Sequence, residues 1–152
     1  MSNFYKNKWI WITGASSGIG EALALEFAKS GANLMLFASN QEELSRVVNE
    51  CVKHGVKVNS FLVDVSDEQQ VYQACEKAFK ISNSVDYNLL NAGLSQRDSV
   101  VNTSTEVLHK IMDVNFYGAV YFAKAVLPQM IKNGSGHFGV MSSLAGKFGY
   151  YG

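Results

Sequence analysis

Apolar runs and amphipathic stretches alternate along the chain. Five short apolar runs, at residues 8–12, 33–38, 56–63, 85–90 and 137–141, predict buried strands. Between them, apolar positions recur at helical spacing over residues 21–30, 41–54 and 105–133, and a capping box at residues 66–69 opens a further helix. Strands that alternate with helices through short connections predict an α/β fold, a doubly wound parallel sheet with helices on both faces.

The longest helical stretch contains two expected irregularities. Residues 105–133 should form two segments that meet near residues 113–115, and Pro128 should remove a hydrogen bond and bend the second segment. Residues 93–102 are predicted to form a loop. Because we find no internal repeat or low-complexity segment, we expect residues 1–152 to form a single domain.

The sequence TGASSGIG, at residues 13–20, follows the first predicted strand and opens the first predicted helix. Gly14 would let the chain turn sharply, and Gly18 would leave the backbone without a side chain where a ligand could approach. Gly20 would allow close packing of the helix on the strand. Unpaired N–H groups at the start of a helix suit a pyrophosphate. The turn lacks the G-K-[ST] signature of a nucleoside-triphosphate P-loop. A glycine-rich turn can also serve the backbone alone.

Small or polar residues follow every predicted strand, where the carboxyl ends of parallel strands place a ligand crevice. Beyond the glycine-rich turn they are Ser39 and Asn40, Asp64 and Val65, Asn91 to Gly93, and Ser142 and Ser143. This convergence predicts a nucleotide site more strongly than any one motif does.

Composition limits the other possibilities. The 13 basic and 13 acidic residues balance, which argues weakly against nucleic acid or an anionic membrane as a partner. No apolar run approaches the ~20 residues that span a bilayer. Cys51 and Cys75 both fall within predicted helices, so we expect no disulfide and a cytoplasmic location. The three histidines lack metal-ligand spacing, and no metal is expected.

The motifs TGASSGIG, Asp64-Val65, Asn91-Ala92-Gly93, Asn115 and Ser143 occur in an order that resembles the short-chain dehydrogenase/reductase family, with its Rossmann-type fold. The resemblance covers nearly the whole chain. It departs from the family's Asn-Asn-Ala-Gly at Leu90, which we expect to continue a buried strand.

The resemblance implies which residues hold a dinucleotide and which take part in catalysis. The first loop would hold the pyrophosphate, through Gly14, Ser16, Ser17, Gly18, Ile19 and Gly20. The residues at the other strand ends would complete the cofactor site, with Asp64 and Val65 at the adenine, alongside Ser39, Asn40, Asn91, Ala92 and Gly93. Asn115 and Ser143 match the family's catalytic Asn and Ser.

Each of these polar residues also has a purely structural interpretation. Asp64 could form an Asx turn before the next helix, and Asn91 could satisfy backbone groups at the end of a strand. Asn115 could mark a junction between helices, where its low helix propensity costs least. Ser142 and Ser143 could form a turn after the fifth strand.

The second strand ends in Ala38-Ser39-Asn40, where an acidic residue would repel a 2′-phosphate. Neither an acid nor an arginine follows, so we expect NADP as the cofactor, with NAD as the alternative. A missing charge-assisted contact is worth roughly 1.5–3 kcal/mol, so the preference should be shallow.

The family's reaction transfers hydride between nicotinamide and a carbonyl or alcohol, with Tyr-x-x-x-Lys as the acid–base pair. The sequence has no such motif, and Tyr150 and Tyr151 have no lysine after them. We therefore expect an N-terminal portion of a longer enzyme that lacks the last strands and is inactive alone. The full-length enzyme is expected to be a homo-oligomer, and the alternative is a non-catalytic nucleotide-binding module.

Overall fold

A computed structural model describes residues 3–148, and Tyr150 and Tyr151 lie outside this range. The strands are β1 (Trp9–Thr13), β2 (Asn33–Ala38), β3 (Val58–Leu62), β4 (Tyr87–Leu90) and β5 (His137–Val140). The helices are α1 (Gly18–Lys29), α2 (Gln41–Val52), α3 (Glu68–Ile81), α4 (Thr105–Met112) and α5 (Gly118–Asn133). Short 3₁₀ turns cover Asn3–Tyr5 and Leu144–Gly146.

The five strands form one sheet in the order β3-β2-β1-β4-β5, and every neighbouring pair is parallel. In the centre, Ile12 of β1 pairs with Leu36 of β2 on one side and with Leu89 of β4 on the other. The chain moves outward from β1 to β3 and then returns to the far side of β1. This reversal makes the sheet doubly wound and confirms the predicted fold class. It also places a crevice between the ends of β1 and β4.

The two faces of the sheet bury separate cores, because successive side chains of a strand point to opposite sides. Ile10 and Ile12 pack with apolar residues of α1 and α2. Trp11 packs on the other face with α3 and α5, and its ring centroid lies 4.8 Å from that of Phe79. The tryptophans of β1 therefore serve packing.

Several boundaries differ from the sequence prediction. Helix α2 ends at Val52, and β3 and β4 are shorter than predicted. The cap of α3 is Asp67, whose Oδ1 accepts from Gln70 N at 3.0 Å, so the predicted box at residues 66–69 was wrong by one residue. The physical reason is that Ser66 instead donates its hydroxyl to Asp64.

A π-helical turn, Asp113–Tyr117, separates α4 from α5 at the predicted junction. Helix α5 then continues through Pro128 to Asn133. Among residues 3–148, no helix combines the length and the apolar character that crossing a bilayer requires.

Both cysteines are buried thiols in helices and neither forms a disulfide. Burial raises the pKa of Cys51 to about 11 and that of Cys75 to about 12. Because the thiolate is the reactive form, both side chains are chemically inert packing residues at neutral pH.

Candidate functional site

A cavity of about 490 Å³ opens at the carboxyl ends of the strands. It brings together most of the residues predicted to bind a cofactor: Gly14, Ser16, Ser17, Gly18, Ile19, Ser39, Asp64, Val65, Asn91, Ala92 and Gly93. Four predicted residues, Gly20, Asn40, Asn115 and Ser143, do not line it. The cavity therefore joins the ends of β1, β2, β3 and β4, while the end of β5 stays apart.

Hydrogen bonds fasten the turn after β1 to the end of β4. The buried Thr13 Oγ1 accepts from Asn91 N at 2.9 Å and from Ala92 N at 3.0 Å. In return, Asn91 Nδ2 donates to Thr13 O at 3.1 Å and to Gly14 O at 3.3 Å. The Asn91 carboxamide thus satisfies backbone groups, as its structural interpretation predicted, and holds the wall of the cavity in shape.

Each glycine of this turn is required for a different steric reason. Gly14 has φ +64°, and an added Cβ would lie 2.8 Å from Ala92 Cα. Gly20 packs so closely on the Gly14 carbonyl that a Cβ would overlap it, so it permits contact within the turn rather than with a strand. Gly18 has φ +55°, and a Cβ there would meet nothing within 4 Å.

Helix α1 begins at the cavity without a side-chain cap. Ser17 occupies the N-cap position but its side chain makes no capping hydrogen bond, whereas Asn40 and Asp67 cap α2 and α3. The first N–H groups of α1 and the positive end of its dipole consequently face the open space beside Gly18. An anion fits this arrangement better than a side chain would.

Asp64 forms a network at another corner of the cavity. Its Oδ1 accepts from Ser66 N at 2.9 Å and from Ser66 Oγ at 2.6 Å, and its Oδ2 lies 3.1 Å from Lys110 Nζ. Burial raises the pKa of this carboxyl, but the hydrogen bonds from Ser66 and Lys110 outweigh burial and hold the pKa below its ordinary value. Asp64 is therefore an anion at neutral pH and forms the Asx turn that the alternative interpretation described.

Asn115 lies in the π-helical turn and contacts the loop after β4. Its Oδ1 accepts from Leu94 N at 2.8 Å and its Nδ2 donates to Leu94 O at 2.9 Å. A Cβ on Gly93 would lie 3.4 Å from Asn115 Oδ1. Asn115 thus marks a helix junction and also fixes the end of the cavity wall.

The remaining predicted residues stand at the ends of β2 and β5. Ser39 lines the cavity, but Asn40 uses its Oδ1 to accept from Glu43 N at 3.1 Å as the cap of α2. Ser143 is exposed, and its Oγ accepts from Ala145 N at 3.1 Å at the start of a 3₁₀ turn. Within residues 3–148, no group of three or more His, Cys, Asp or Glu side chains is arranged to hold a metal ion.

Both the sequence and the fold are similar to those of known proteins. The family model for short chain dehydrogenase matches residues 8–152. The chain belongs to the short-chain dehydrogenase family. Its fold is similar to a short-chain type dehydrogenase/reductase from Mycobacterium marinum, with TM-score 0.92 and 27% identity over 100% of this chain and 64% of that one. It is also similar to NAD+-bound xylitol dehydrogenase, with TM-score 0.92 and 28% identity over 96% of this chain and 56% of that one.

Among curated relatives, dehydrogenase/reductase SDR family protein 7-like of Drosophila melanogaster is 36% identical, over 96% of this chain and 46% of that protein. Human dehydrogenase/reductase SDR family member 7 is 36% identical, over 90% of this chain and 42% of that protein. This family member therefore spans about half the length of the curated relatives it matches.

Three residues to which the sequence motifs assign no role contribute to the candidate site of this family member. Thr13 joins β1 to β4, and Lys110 pairs with Asp64. A Cβ on Gly118 would lie 2.8 Å from Val65 Cγ2 and 3.0 Å from Val65 O, so only glycine lets α5 approach the cavity wall this closely. The sequence did contain a signal for Gly118, which lies three residues after Asn115. A glycine at the start of a helix often indicates a close backbone contact.

Proposed function

We propose that this chain provides the cofactor-binding part of an NAD(P)-dependent oxidoreductase. The full protein would transfer hydride between a nicotinamide ring and a small-molecule carbonyl or alcohol. The observation that carries this proposal is the cavity at the carboxyl ends of β1 to β4, which collects eleven of the predicted cofactor-binding residues. The names of the curated relatives, which are dehydrogenase/reductases, and the NAD+ of the xylitol dehydrogenase structure support it.

The pyrophosphate would bind at the start of α1. Gly18 leaves open space there, and the uncapped N–H groups supply hydrogen-bond donors that a phosphate oxygen can use. The adenine would bind at the opposite end, between Asp64 and the buried residues Val65 and Val114, which also line the cavity. Asp64 would accept a hydrogen bond from the amino group of the base. A bound nicotinamide would donate or accept the hydride.

We propose NADP as the preferred cofactor, with NAD as the alternative. Ser39 offers a neutral hydroxyl at the end of β2, and no acidic side chain lines the cavity there. The first basic residue after β2, Arg46, forms ion pairs with Glu21 at 2.7 Å and with Glu43 at 2.8 Å. Without a charge-assisted contact worth roughly 1.5–3 kcal/mol, discrimination should be less than about 10- to 100-fold.

Asn115 and Ser143 are the residues we propose for the catalytic end. Asn115 fixes the loop that carries Leu94, and Ser143 has a hydroxyl at the end of β5 that could contact a carbonyl oxygen once substrate is bound. Neither side chain exchanges a proton near neutral pH, and the sequence contains no Tyr-x-x-x-Lys. Since general acid–base catalysis typically contributes about 10²–10⁴-fold, we propose that this chain binds cofactor without measurable turnover.

The test is a calorimetric titration of NADPH and NADH into the chain and into Gly18→Asp. An aspartate at Gly18 would put bulk and negative charge where the pyrophosphate is proposed, so binding should be lost. Gly55→Asp is the matched control. Gly55 also has a positive φ, +73°, and an added Cβ there would also meet nothing within 4 Å, yet Gly55 lies outside the cavity. Unchanged NADPH binding in Gly18→Asp would contradict the proposal.

The inactivity is tested with a panel of ketones and NADPH, on this chain and on a longer chain extended through a Tyr-x-x-x-Lys motif. Turnover by the longer chain alone would support the oxidoreductase assignment. Turnover by the 152-residue chain would contradict the proposed division of roles. Absence of turnover in both, with NADPH binding retained, would favour the non-catalytic nucleotide-binding module.

A further inference from the structure

Lys110 extends from α4 toward the loop that follows β3 and closes a ring of hydrogen bonds. Its Nζ donates to Asp64 Oδ2 at 3.1 Å and to Ser66 Oγ at 2.7 Å. Ser66 Oγ in turn donates to Asp64 Oδ1 at 2.6 Å. Lys110 is 46 positions after Asp64 and 44 positions after Ser66 in the sequence, so the ring depends on the tertiary fold and not on local chain geometry.

The ring lies at a corner of the cavity whose walls are apolar. Lys110, Asp64, Val65 and Val114 all line the cavity, and both valines are buried. The side chains of Lys110 and Asp64 are about half exposed, at 48% and 44%. Buried apolar walls next to an accessible pair of opposite charges suit a flat heterocycle whose edge carries hydrogen-bonding groups.

The hydrogen-bonding capacity of the ring is not exhausted by its internal bonds. An ionised carboxylate offers about four acceptor positions, and Asp64 uses three of them on Ser66 N, Ser66 Oγ and Lys110. An ammonium carries three donor protons, and these bonds occupy two of the three on Lys110. The pair therefore presents one acceptor and one donor side by side.

We propose that Lys110 is a positioning and specificity-determining residue for the base of the cofactor. This inference rests on the proposed function. Lys110 holds Asp64 in the orientation in which its remaining acceptor position meets the amino group of adenine. Its own remaining proton can meet a base that carries an oxo group instead, as hypoxanthine does. The chain should consequently bind dinucleotides of either base, with Lys110 responsible for the tolerance toward the oxo group.

The experiment compares NADPH with its deamino analogue, in which hypoxanthine replaces adenine, by calorimetric titration. Lys110→Met keeps most of the aliphatic stem but removes the ammonium. It should weaken NADPH binding about two- to fivefold, the range of a half-exposed ion pair. The deamino analogue should lose about tenfold or more, because a charge-assisted bond to the base disappears and Asp64 then faces the oxo group. Lys110→Arg keeps a positive charge and should retain most of the affinity for NADPH and for the deamino analogue.

Lys124→Met is the matched control. Lys124 lies on α5 and pairs with Glu68 of α3 at 3.5 Å, a similarly exposed ion pair between two helices that does not line the cavity. It should leave both titrations unchanged. Circular dichroism of each variant verifies folding. Lys110→Gln is a second variant that also removes the ammonium, and it is titrated in the same way as Lys110→Met.

A shift in the ratio of the two dissociation constants is the deciding result, because a merely structural role would weaken both cofactors equally. An unchanged ratio in Lys110→Met and Lys110→Gln, with wild-type binding intact, would overturn this inference alone. Failure of the wild-type chain to bind either dinucleotide would overturn the proposed function and this inference together.

Discussion

The carboxamide of Asn115 forms two hydrogen bonds with the main chain of Leu94, 21 residues earlier in the sequence. The bonds run in opposite directions, since Oδ1 accepts from the amide and Nδ2 donates to the carbonyl. Only a carboxamide offers a donor and an acceptor at this spacing, so aspartate cannot replace it. The π-helical turn that contains Asn115 aims this group at the loop, and the loop in turn carries Gly93 at the edge of the cavity.

Asn115→Ala should therefore loosen the loop after β4. Losing both bonds from this exposed side chain should cost about 1 kcal/mol locally, which corresponds to about fivefold faster hydrogen exchange at the Leu94 amide. Asn115→Asp should have at least the same effect, because a carboxylate oxygen would face the Leu94 carbonyl. Asn133→Ala is the control, since Asn133 Nδ2 donates to Asn83 O at 2.8 Å far from this loop. Unchanged protection of Leu94 in Asn115→Ala would contradict the expected role.

Gly14 and Gly55 differ in what surrounds an added methyl group, although both have positive φ. Gly14→Ala would place a Cβ 2.8 Å from Ala92 Cα, whereas Gly55→Ala would meet open space. The left-handed conformation costs alanine roughly 1–2 kcal/mol at either site, and overlap with a backbone atom adds about 1–3 kcal/mol at Gly14. Urea unfolding should show Gly14→Ala as clearly less stable than Gly55→Ala. Equal losses would mean that the turn relaxes without resistance from β4.

The sequence predicts the order and type of the elements well because each depends on local periodicity. Leu90 continues β4 as a buried residue, for example, and the glycine-rich turn falls between β1 and α1 as predicted. The hydrogen-bond partners of side chains could not be predicted in this way. Asp64 meets Lys110 only because the sheet and α4 bring together residues that lie 46 positions apart, and no periodicity encodes such a pair.

The cap of α3 illustrates a smaller limit. Ser66 and Asp67 are both good N-cap residues, so local preference alone does not choose between them. The choice is made by Asp64, which takes the hydroxyl of Ser66 into its own network and leaves Asp67 to cap the helix. The neighbouring carboxylate of Asp64 thus shifts a helix boundary by one position.

Acid should weaken the link between α1 and α2. Arg46 donates to both oxygens of Glu21, at 2.7 and 2.9 Å, and these hydrogen bonds lower the pKa of Glu21 although burial opposes them. A lowered native pKa means that the stabilisation is fully present above the ordinary pKa of glutamate, about 4.3, and is lost as the pH falls through the lower native value. Glu21→Gln should therefore be less stable than wild type at pH 7, with the difference shrinking at acidic pH.

The measurement is the urea midpoint of wild type and Glu21→Gln at pH 7 and at successively lower pH. Glu50→Gln is the control, because Glu50 of α2 pairs at 2.6 Å with Lys53, the residue directly after that helix, and links no second element. It should change the midpoint little at any pH. A wild-type advantage over Glu21→Gln that stayed constant down to strongly acidic pH would count against the role of this ion pair.

Thr13 offers the sharpest test of how the site is held together. Its Oγ1 accepts from the amides of Asn91 and Ala92, and the side chain is 2% exposed. Thr13→Val keeps the shape of the side chain but leaves two partly buried N–H groups without an acceptor, which should cost about 2–4 kcal/mol in the free energy of unfolding. Thr13→Ser keeps the hydroxyl and loses one buried methyl group, a cost of about 1 kcal/mol. Because Asn91 and Ala92 line the cavity, Thr13→Val should also weaken NADPH binding, while Thr13→Ser should retain it. If valine and serine proved equally stable in urea unfolding, the hydroxyl would not be what joins β1 to β4.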